Sequence, residues 1–554
     1  MSTRSVYCIL LCVIIWGFTV RPAYREIYFR FRQENTSLRL RHAGGYSELA
    51  SKEEHEARRY RETLRIQDVV LLSENELLLL IPFPSTKFMD FLPPKSILRC
   101  LLSREITAQV TGIDYLQGRA AIRCQTPFPG ILGLAAFDQV RLISEGSDLN
   151  LLSLHRTRSH PVRWDWMVYE SLVTDTDVIL FAKGINQRQG INAAPHTLRC
   201  VFNNTVETTV TVSAQEIFRC ENPPHNLQLS GAKVSLQSVE ETLPLPSVAY
   251  YHNRPTVSEF TLKDKSARKL LCACTMVYNA AKFLKEWIVY HSFLGVEAFL
   301  IYDNNSDDDL EDVIKSVSMS GYNVRRHPWP WAKTQEAGFA HCALQGREEC
   351  QWMMFTDVDE FIFSRHWLRR PSSNALKILL TNKTHEVSNS SSMIGQVSMN
   401  CRNFGPSNLK EHPPRGVTQG YTCRQKLEQR HKSIVLLDAL PSSLLNVIHH
   451  FELKPGYRSI RLQSHEAVIN HYKYQAWSEF KAKFRRRVSA YVVDWKESKR
   501  LSSQDRVPGL GYKAVEPAEW DKMFCEVNDT AMLRFTTKVF SVQKGSIPLM
   551  QWQL

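Results

Sequence analysis

Two aspartates separated by a single residue, Asp357 and Asp359, are the clearest candidates for chemistry in this sequence. They directly follow a run of apolar residues, within the segment Phe355-Thr-Asp-Val-Asp-Glu-Phe361. Two carboxylates at this spacing suit a hard divalent cation, which prefers oxygen ligands and can bridge two phosphates. The chain has two further Asp-x-Asp triplets, at 175–177 and 307–309. The triplet alone therefore also fits a solvated turn in which Asp caps a helix.

The elements around the pair favour a ligand site over a turn. From about residue 250 the sequence alternates short apolar runs with segments of helical spacing. This alternation is typical of a parallel, doubly wound sheet, which binds its ligands at the carboxyl ends of its strands. We predict strands over 270–277, 298–302, 322–326 and 351–355, and helices over 281–293, 309–317 and 332–347.

The position of the pair along the chain separates two classes of enzyme. Phosphatases of the haloacid dehalogenase type place an Asp-x-Asp pair after their first strand, whereas three strand–helix units precede Asp357. A nucleotide-binding half followed by a metal site is the order of a GT-A glycosyltransferase. We therefore expect an α/β GT-A domain, Rossmann-like with a mostly parallel sheet, over residues 246–554.

Several motifs in a fixed order make a family resemblance specific. They are Met276-Val-Tyr-Asn279, Glu286-Trp-Ile-Val-Tyr-His291, Gly295-Val296, Ile301-Tyr-Asp-Asn-Asn-Ser306, Phe355-Thr-Asp-Val-Asp-Glu-Phe361 and Ile469-Asn-His-Tyr472. Over about residues 250 to 535 the chain resembles glycosyltransferase family 92, which includes the plant galactan synthases. The resemblance implies a GT-A enzyme that uses a UDP-sugar, with galactose as the sugar, and Mn²⁺ or Mg²⁺. It further implies inverting transfer to a glycan or polysaccharide acceptor, which gives a β-linkage.

The resemblance also implies roles around the metal. Asp357 and Asp359 would hold the cation, and His471 matches a C-terminal His that resembles a metal or diphosphate ligand of related transferases. A neutral imidazole suits Mn²⁺, although a lone His is more often a satisfied surface or core residue. Lys432 would balance the diphosphate charge. We expect a basic residue and a proline just beyond Lys432, but Leu436-Leu437 stands there, and this departure weakens its assignment.

Further residues are candidates for binding the nucleotide and for activating the acceptor. Tyr278 and Asn279 follow the first predicted strand and Asp303 follows the second, where a GT-A fold contacts uridine and ribose; the alternative is turn residues and helix caps. Inverting transfer needs a base that deprotonates the acceptor hydroxyl. We expect Asp494, whose neighbour Trp495 suits stacking on a sugar ring, with Glu466 as the second candidate. A surface carboxylate beside a core Trp fits Asp494 equally well.

A β-rich segment precedes the α/β region, over residues 66–245, and it contains an internal echo. Leu98-Arg-Cys100 and Ile122-Arg-Cys-Gln-Thr-Pro127 return about a hundred residues later as Leu198-Arg-Cys200 and Phe218-Arg-Cys-Glu-Asn-Pro223. We infer two related β-units, each with a Cys pair that joins strands. A carbohydrate-binding or acceptor-orienting module and a purely structural sandwich both remain open.

The cysteines indicate an oxidising compartment. Eleven of the thirteen lie beyond residue 20, and four pairs have similar short spacings, which suggests disulfides, although spacing alone also allows unpaired buried thiols. The pairs are Cys100 with Cys124, Cys200 with Cys220, Cys342 with Cys350, and Cys401 with Cys423. Sequons at Asn35, Asn203, Asn382, Asn389 and Asn528 agree with a lumenal location.

The N-terminal segment contains the one long apolar run, residues 6–20. It has no convincing small-residue cleavage site, so we expect an uncleaved signal anchor over 1–20 rather than a signal peptide, followed by a basic stem over 21–65. This makes a single-pass type II protein with a lumenal catalytic domain, in the Golgi. The excess of arginines after the run opposes this orientation by the positive-inside rule.

Length and composition bound the remaining choices. The 554 residues suggest about three to four structural units, and 43% apolar with 23% charged residues excludes a disordered or polytopic membrane chain. The net charge of +13 comes without a zinc finger or an RNP-like box, so we expect no nucleic-acid partner. The oligomeric state stays open, a homodimer included. A non-catalytic glycan-binding protein on a GT-A shell is the competing function.

Overall fold

The computed structural model describes residues 65–73, 75–82, 92–102, 106–126, 140–144, 150–154, 161–186, 191–224, 226–252, 268–385, 392–483, 516–545 and 547–554. The expected signal anchor, nearly all of the expected stem, and Asp494 lie outside these ranges. Within them, no helix combines the length and the apolar character that a membrane crossing requires.

The first sheet is almost entirely antiparallel and has nine strands within the described ranges. They are β1 (Arg65–Ile66), β2 (Asp68–Ser73), β3 (Glu76–Pro82), β4 (Leu98–Leu101), β5 (Thr107–Leu116), β6 (Arg119–Gln125), β7 (Arg141–Ser144), β8 (Asn150–Leu154) and β9 (Val162–Arg163). Their order is β1-β8-β7-β4-β5-β6-β3-β2-β9, with β1 parallel to β8 and β9 parallel to β2.

The second sheet is antiparallel, and the described part of the chain contributes seven strands to it. They are β10 (Met167–Val173), β11 (Asp177–Lys183), β12 (Leu198–Phe202), β13 (Val206–Ala214), β14 (Ile217–Glu221), β15 (Ala232–Ser238) and β16 (Tyr250–Tyr251). Their order is β10-β11-β14-β13-β12-β15-β16. We call the two sheets together the β module.

Six strands of the second sheet repeat the order of six strands of the first. The series β2-β3-β6-β5-β4-β7 corresponds to β10-β11-β14-β13-β12-β15. In each copy a disulfide joins the two strands that flank the longest strand, Cys100 to Cys124 and Cys200 to Cys220. The register shifts directly after Val110 in one copy and Val210 in the other. Both of these predicted disulfides are confirmed, and the sequence echo is a repeated topology.

The third sheet carries the candidate site. Its strands are β17 (Lys269–Val277), β18 (Ala298–Asp303), β19 (Val324–Pro328), β20 (Cys350–Phe355), β21 (Glu360–Phe363), β22 (Met393–Phe404), β23 (Cys423–Leu436), β24 (Tyr457–Arg461), β25 (Val468–His471) and β26 (Val527–Asn528). A separate hairpin is formed by β27 (Ser541–Lys544) and β28 (Ile547–Met550).

The helices are α1 (Ala281–Phe293), α2 (Leu310–Met319), α3 (Gln335–Gly346), α4 (Arg365–Arg369), α5 (Ala375–His385), α6 (Val417–Gly420) and α7 (Ala531–Phe540), with a further helical segment at 477–483. Short 3₁₀ turns lie at Lys95–Ile97, Pro195–Thr197, Leu437–Ala439, Trp520–Lys522 and Gln551–Gln553.

The parallel half of this sheet has the order β19-β18-β17-β20. Strand β17 comes first in the sequence and lies between β18 and β20. The strand order therefore runs outward from β17 to β19 and then switches to the other side of β17 with β20. Every residue of β18 is buried, as is typical of a strand covered on both faces. Strands β23, β22, β25 and β21 extend the sheet beyond β20. Their pairings are antiparallel except that of β22 with β25, which is parallel. The predicted fold class, an α/β GT-A domain preceded by β-rich sheets, is confirmed.

The pairing of the remaining cysteines corrects two expectations. Cys342 bonds Cys274 and Cys350 bonds Cys272, so these two do not bond each other. Cys423 bonds Cys525, and Cys401 is a buried free thiol. Short spacing misled here because Cys272 and Cys274 lie on one face of β17, beside α3 and the start of β20. Tertiary neighbours therefore decide the pairing.

The β module and the α/β domain share one continuous hydrophobic core. It includes Val70 and Leu80 from the first sheet, Phe181 from the second and Trp329 from the α/β domain. The ring of Tyr169 lies 6.2 Å from the ring of Trp329. The module is therefore packed onto the α/β domain and is not merely tethered to it.

Candidate active site

A tight turn at the carboxyl end of β20 presents the aspartate pair. The backbone N–H of Glu360 donates to the carbonyl of Asp357 at 3.0 Å, and the N–H of Asp357 donates to Glu360 Oε2 at 2.9 Å. Glu360 is completely buried and Asp359 nearly so, whereas about a third of the Asp357 side chain is exposed. Three carboxylates thus lie at the edge of the sheet where a nucleotide-binding fold takes its ligands.

Lys432 and His449 face Asp357 and Glu360. Lys432 Nζ lies 3.3 Å from Asp357 Oδ2 and 2.8 Å from Glu360 Oε1. It also contacts Nε2 of His449, whose Nδ1 lies 2.9 Å from the carbonyl of Phe355. Because an ammonium can only donate, His449 Nε2 accepts from Lys432, and its Nδ1–H donates to the Phe355 carbonyl. The imidazole is thereby fixed in one neutral tautomer.

Burial and these neighbours set the charges. Burial alone would raise the pKa of Asp357, but the Lys432 ammonium holds that pKa well below its usual range. Burial raises the pKa of Glu360 to about 7, with Lys432 acting in the opposite direction. Burial, together with Lys432, lowers the pKa of His449 to about 3, so this imidazole stays neutral at physiological pH. Asp357 is therefore a permanent carboxylate beside a permanent ammonium.

His471 reaches the same cluster from β25. The register of β21 with β25 places Glu360 opposite His471. His471 Nε2 lies 3.7 Å from Asp359 Oδ2, and its Nδ1 lies 3.6 Å from Glu360 Oε1. The Lys483 ammonium contacts Asp359 Oδ2 and lies 3.4 Å from His471 Nε2. A positive charge thus occupies the space between Asp359 and His471.

This arrangement can be compared with the needs of a divalent cation. Within the described ranges, no group of three or more His, Cys, Asp or Glu side chains is arranged to hold a metal ion. Asp359 and His471 nevertheless direct an oxygen and a nitrogen at a position that a cation, the Lys483 ammonium, already takes. Mg²⁺ is commonly bound by one or two carboxylates together with substrate phosphates and water. The donor set therefore fits Mn²⁺ or Mg²⁺ with two protein ligands, provided that Lys483 moves away.

The predicted nucleotide residues lie at the neighbouring strand ends. Tyr278 is 36% exposed, and Asn279 has a positive φ of 50° directly after β17. Asn279 Oδ1 accepts from the N–H of Asp307 at 2.6 Å. Asp303 is buried: its Oδ1 accepts from the N–H of Ser306 at 2.9 Å, and its Oδ2 accepts from Arg326 at 2.6 and 2.8 Å. Asp303 therefore orders the loop after β18, and Tyr278 offers the exposed ring.

The two candidate bases are not brought into this cluster by the described residues. Asp494 lies outside them. Glu466 pairs with Lys383 at 2.8 Å and accepts from the N–H of Gln463 at 2.8 Å. It lies before β25, at the opposite end of that strand from His471, which corresponds to about 16 Å of extended chain.

Three members of the cluster were not singled out from the sequence. Glu360 directly follows the aspartate pair, but the Asp-x-Asp spacing assigns no role to its carboxylate. His449 sits in Ile448-His-His-Phe451, and Lys483 lies at the end of the described helical segment 477–483. Both are separated from Asp357 by about a hundred residues of chain, so local spacing carries no signal for them.

Comparison with known proteins identifies the family of this chain. Residues 268–502 match the model of glycosyltransferase family 92. The chain is 45% identical over 405 residues to the glycosyltransferase family 92 protein At1g27200 of Arabidopsis thaliana, which covers 70% of this chain and 69% of that protein. It is 41% identical over 414 residues to the family 92 protein Os08g0121900 of Oryza sativa, over 70% and 68% of the two chains. The protein belongs to glycosyltransferase family 92, and it is a glycosyltransferase.

Solved structures give weaker matches. GalNAc-T7 with UDP, GalNAc and Mn²⁺ aligns with 8% identity and a TM-score of 0.24, over 42% of this chain and 48% of that one. Staphylococcus aureus TarS 1–349 aligns with 12% identity and a TM-score of 0.23, over 40% of this chain and 66% of that one.

Proposed function

We propose that this protein is a metal-dependent, inverting glycosyltransferase that transfers a sugar from a UDP-sugar to a glycan or polysaccharide acceptor. The observation that carries the proposal is the convergence of Asp359 and His471 on one cation position, at the carboxyl edge of a nucleotide-binding sheet. Galactose as the sugar and a β-linkage as the product follow from the resemblance to the plant galactan synthases.

The residues of the cluster have separate tasks in this proposal. Asp359 and His471 would hold the cation, whereas Asp357, the third predicted ligand, pairs with Lys432. When bound, the cation supplies positive charge to the diphosphate and so stabilises UDP as a leaving group. Lys432, held by Asp357 and Glu360, places a second positive charge at the same edge. Tyr278 and Asn279 border the uridine side.

The transfer itself is a single displacement. The acceptor oxygen forms a bond to the anomeric carbon while the bond from that carbon to UDP breaks, and UDP leaves with the electron pair. The hydroxyl proton passes to a carboxylate base, for which we propose Asp494. We expect Asp494→Ala to lower transfer by about 10²- to 10⁴-fold while UDP affinity stays nearly unchanged, as rates and calorimetry would measure. Transfer within a few-fold of wild type would remove Asp494 from this role.

The proposed location is the Golgi membrane, with a type II anchor over 1–20, a stem over 21–65 and the catalytic domain in the lumen. Five disulfides among the described residues support an oxidising compartment. Staining of a tagged full chain against Golgi markers, with protease protection of the C-terminus, tests this part.

A panel of UDP-sugars, assayed for hydrolysis and for transfer to glycan acceptors, tests the main proposal. We expect UDP-galactose to be used, activity to vanish with EDTA and Mn²⁺ to restore it. Binding of glycans without turnover of any UDP-sugar would instead identify a non-catalytic glycan-binding protein.

A further inference from the structure

The two units of the β module reach the α/β domain through equivalent arginines. Arg123 lies opposite Leu78 in the first sheet, and Arg219 lies opposite Ile179 in the second. Each arginine directly precedes the cysteine of its unit's disulfide, Cys124 or Cys220. The repeat thus places the same side chain at the same position of both units.

Each arginine pairs first with an acid of its own unit, at the first residue of the neighbouring strand. Arg123 Nη1 lies 3.6 Å from Glu76 Oε1, and Arg219 Nη1 lies 2.6 Å from Asp177 Oδ2. Both arginines are buried, with 5% of the Arg123 side chain and 10% of the Arg219 side chain exposed. Gly112 allows this burial in the first unit, because a side chain there would collide with the guanidinium of Arg123.

Each arginine then contacts a loop that borders the proposed donor site. Arg123 Nη2 lies 3.4 Å from Oδ1 of Asp307, whose backbone N–H donates to Asn279 Oδ1. A second link joins the same unit to this loop, because Arg326 bridges Asp114 and Asp303 with 2.6 Å contacts to each. The first unit therefore holds the loop at 303–309.

The second unit contacts a loop on the other side of the proposed donor site. Arg219 Nε donates to the carbonyl of Ser442 at 2.6 Å. Gln215 Nε2 donates to the carbonyl of Asn446 at 2.7 Å, and the N–H of Asn446 returns a bond of 3.4 Å to Gln215 Oε1. This loop, residues 441–451, continues to His449, which contacts Lys432 beside Asp357.

We propose that the β module is a positioning element of the donor site, in which the two equivalent arginines and Gln215 hold the loops 303–309 and 441–451 in the geometry that binds the nucleotide. The inference rests on the proposed function for the identity of the ligand. It assigns the module a role in the reaction that does not require it to bind any glycan. The loops carry Asn279's partner on one side and His449 on the other, so displacement of either loop changes the site directly.

The test uses the full chain with Arg123→Met, Arg219→Met and Gln215→Asn. Gln215→Asn removes no charge, and the Asn it introduces tolerates the positive φ of 53° at this position. This variant therefore remains informative if an arginine variant does not fold. Arg199→Met is the matched control, since 42% of the Arg199 side chain in the second unit is exposed and its Nε lies 4.0 Å from Glu207 Oε2. Two properties are measured: hydrogen exchange of the two loops, and the dissociation constant of UDP with Mn²⁺.

We expect Arg123→Met to increase exchange at 303–309 only, and Arg219→Met and Gln215→Asn to increase it at 441–451 only. All three should weaken UDP binding by about 3- to 30-fold at a temperature where every variant is folded, with KM for the donor rising more than kcat falls. Arg199→Met should change neither property.

UDP affinity equal to that of wild type in all three variants would overturn the proposal, even if thermal stability falls, because the contacts would then be purely structural. If wild type itself binds no UDP, the proposed function fails. In that case loop-specific exchange would still support the positioning of the loops, and unchanged exchange would overturn it.

Discussion

Lys483 carries a positive charge into the space that a divalent cation would need. Its ammonium contacts Asp359 Oδ2 and lies 3.4 Å from His471 Nε2, so one carboxylate and one imidazole already share a cation. An ammonium satisfies a carboxylate with a single charge, whereas a divalent ion brings two charges and accepts lone pairs from both ligands. A divalent cation at this position would therefore compete with Lys483 for the same two side chains.

This competition predicts that Lys483→Met tightens metal binding. Without the ammonium, Asp359 and His471 are left with no cation, and the metal has no ion pair to displace. We expect Mn²⁺ to bind about 3- to 30-fold more tightly in the absence of nucleotide, as titration calorimetry would measure. Lys481→Met, two residues away on the same helical segment, is the control. Unchanged or weaker Mn²⁺ binding in Lys483→Met would contradict the competition.

Asp359→Asn tests the role of Asp359 as a metal ligand by removing its negative charge. The amide keeps the size of the side chain but loses the negative charge that holds the cation, so we expect transfer to fall by at least about 10²-fold. The thermal unfolding midpoint should change little. Asp175→Asn is the matched control, because Asp175 belongs to another Asp-x-Asp triplet and is exposed. Full activity in Asp359→Asn would exclude Asp359 as a metal ligand.

Helix α1 shows how a family motif can serve the fold instead of the chemistry. Glu286 lies on this helix and is buried, and its carboxylate accepts from the N–H of Val417 at 2.8 Å and from the N–H and hydroxyl of Thr418 at 3.0 and 2.5 Å. Gly416 approaches the same carboxylate with a φ of 101°, where a side chain would collide. Glu286 thus fixes the start of α6 against α1.

The buried carboxylate makes stability depend on pH. Burial raises the pKa of Glu286 to about 7, despite the three hydrogen bonds that favour its charged form. The folded pKa lies above the unfolded one, so the folded state binds the proton more tightly. The contribution of Glu286 to the free energy of unfolding is therefore complete below about pH 4.5 and is lost as pH rises through about 7. The loss amounts to about 3 kcal/mol. We expect Glu286→Gln to lose this slope, measured as thermal midpoints of both proteins at pH 5 and pH 8. Parallel slopes would contradict the shifted pKa.

At the level of elements, the sequence predicted those parts that local pattern determines. The strands at 270–277 and 298–302 and helix 281–293 were predicted within one residue of β17, β18 and α1, because continuous apolar runs and short connections define them. His449 and Lys483 could not be predicted, since each joins Asp357 or Asp359 only after the sheet has formed. The partners of Cys272 and Cys274 escaped prediction for the same reason.

Across the whole molecule, the repeated units and the α/β domain are joined by a core rather than by a linker. Trp331 is fully buried at this junction: its ring lies 5.2 Å from that of Tyr169, and its Nε1 lies 3.4 Å from Glu170 Oε2. Glu170 belongs to the second sheet, and burial raises its pKa to about 7 even though Arg119 opposes this. The second sheet and the α/β domain are thus joined by a buried contact that is both aromatic and polar.

This shared core predicts that the described sheets unfold together. We expect wild type to give a single calorimetric transition, because separating the module from the α/β domain would expose Trp329, Trp331 and their apolar neighbours to water. Trp331→Ala should remove about 3–5 kcal/mol through the cavity it leaves, and lower the midpoint by about 5 °C while the transition stays single. Trp166→Ala is the control, because that ring is 45% exposed and its loss leaves no buried cavity at the junction. Two resolved transitions in wild type, of which only one moves in Trp331→Ala, would mean that the module folds independently, and the positioning of the donor-site loops would then have to survive without a common core.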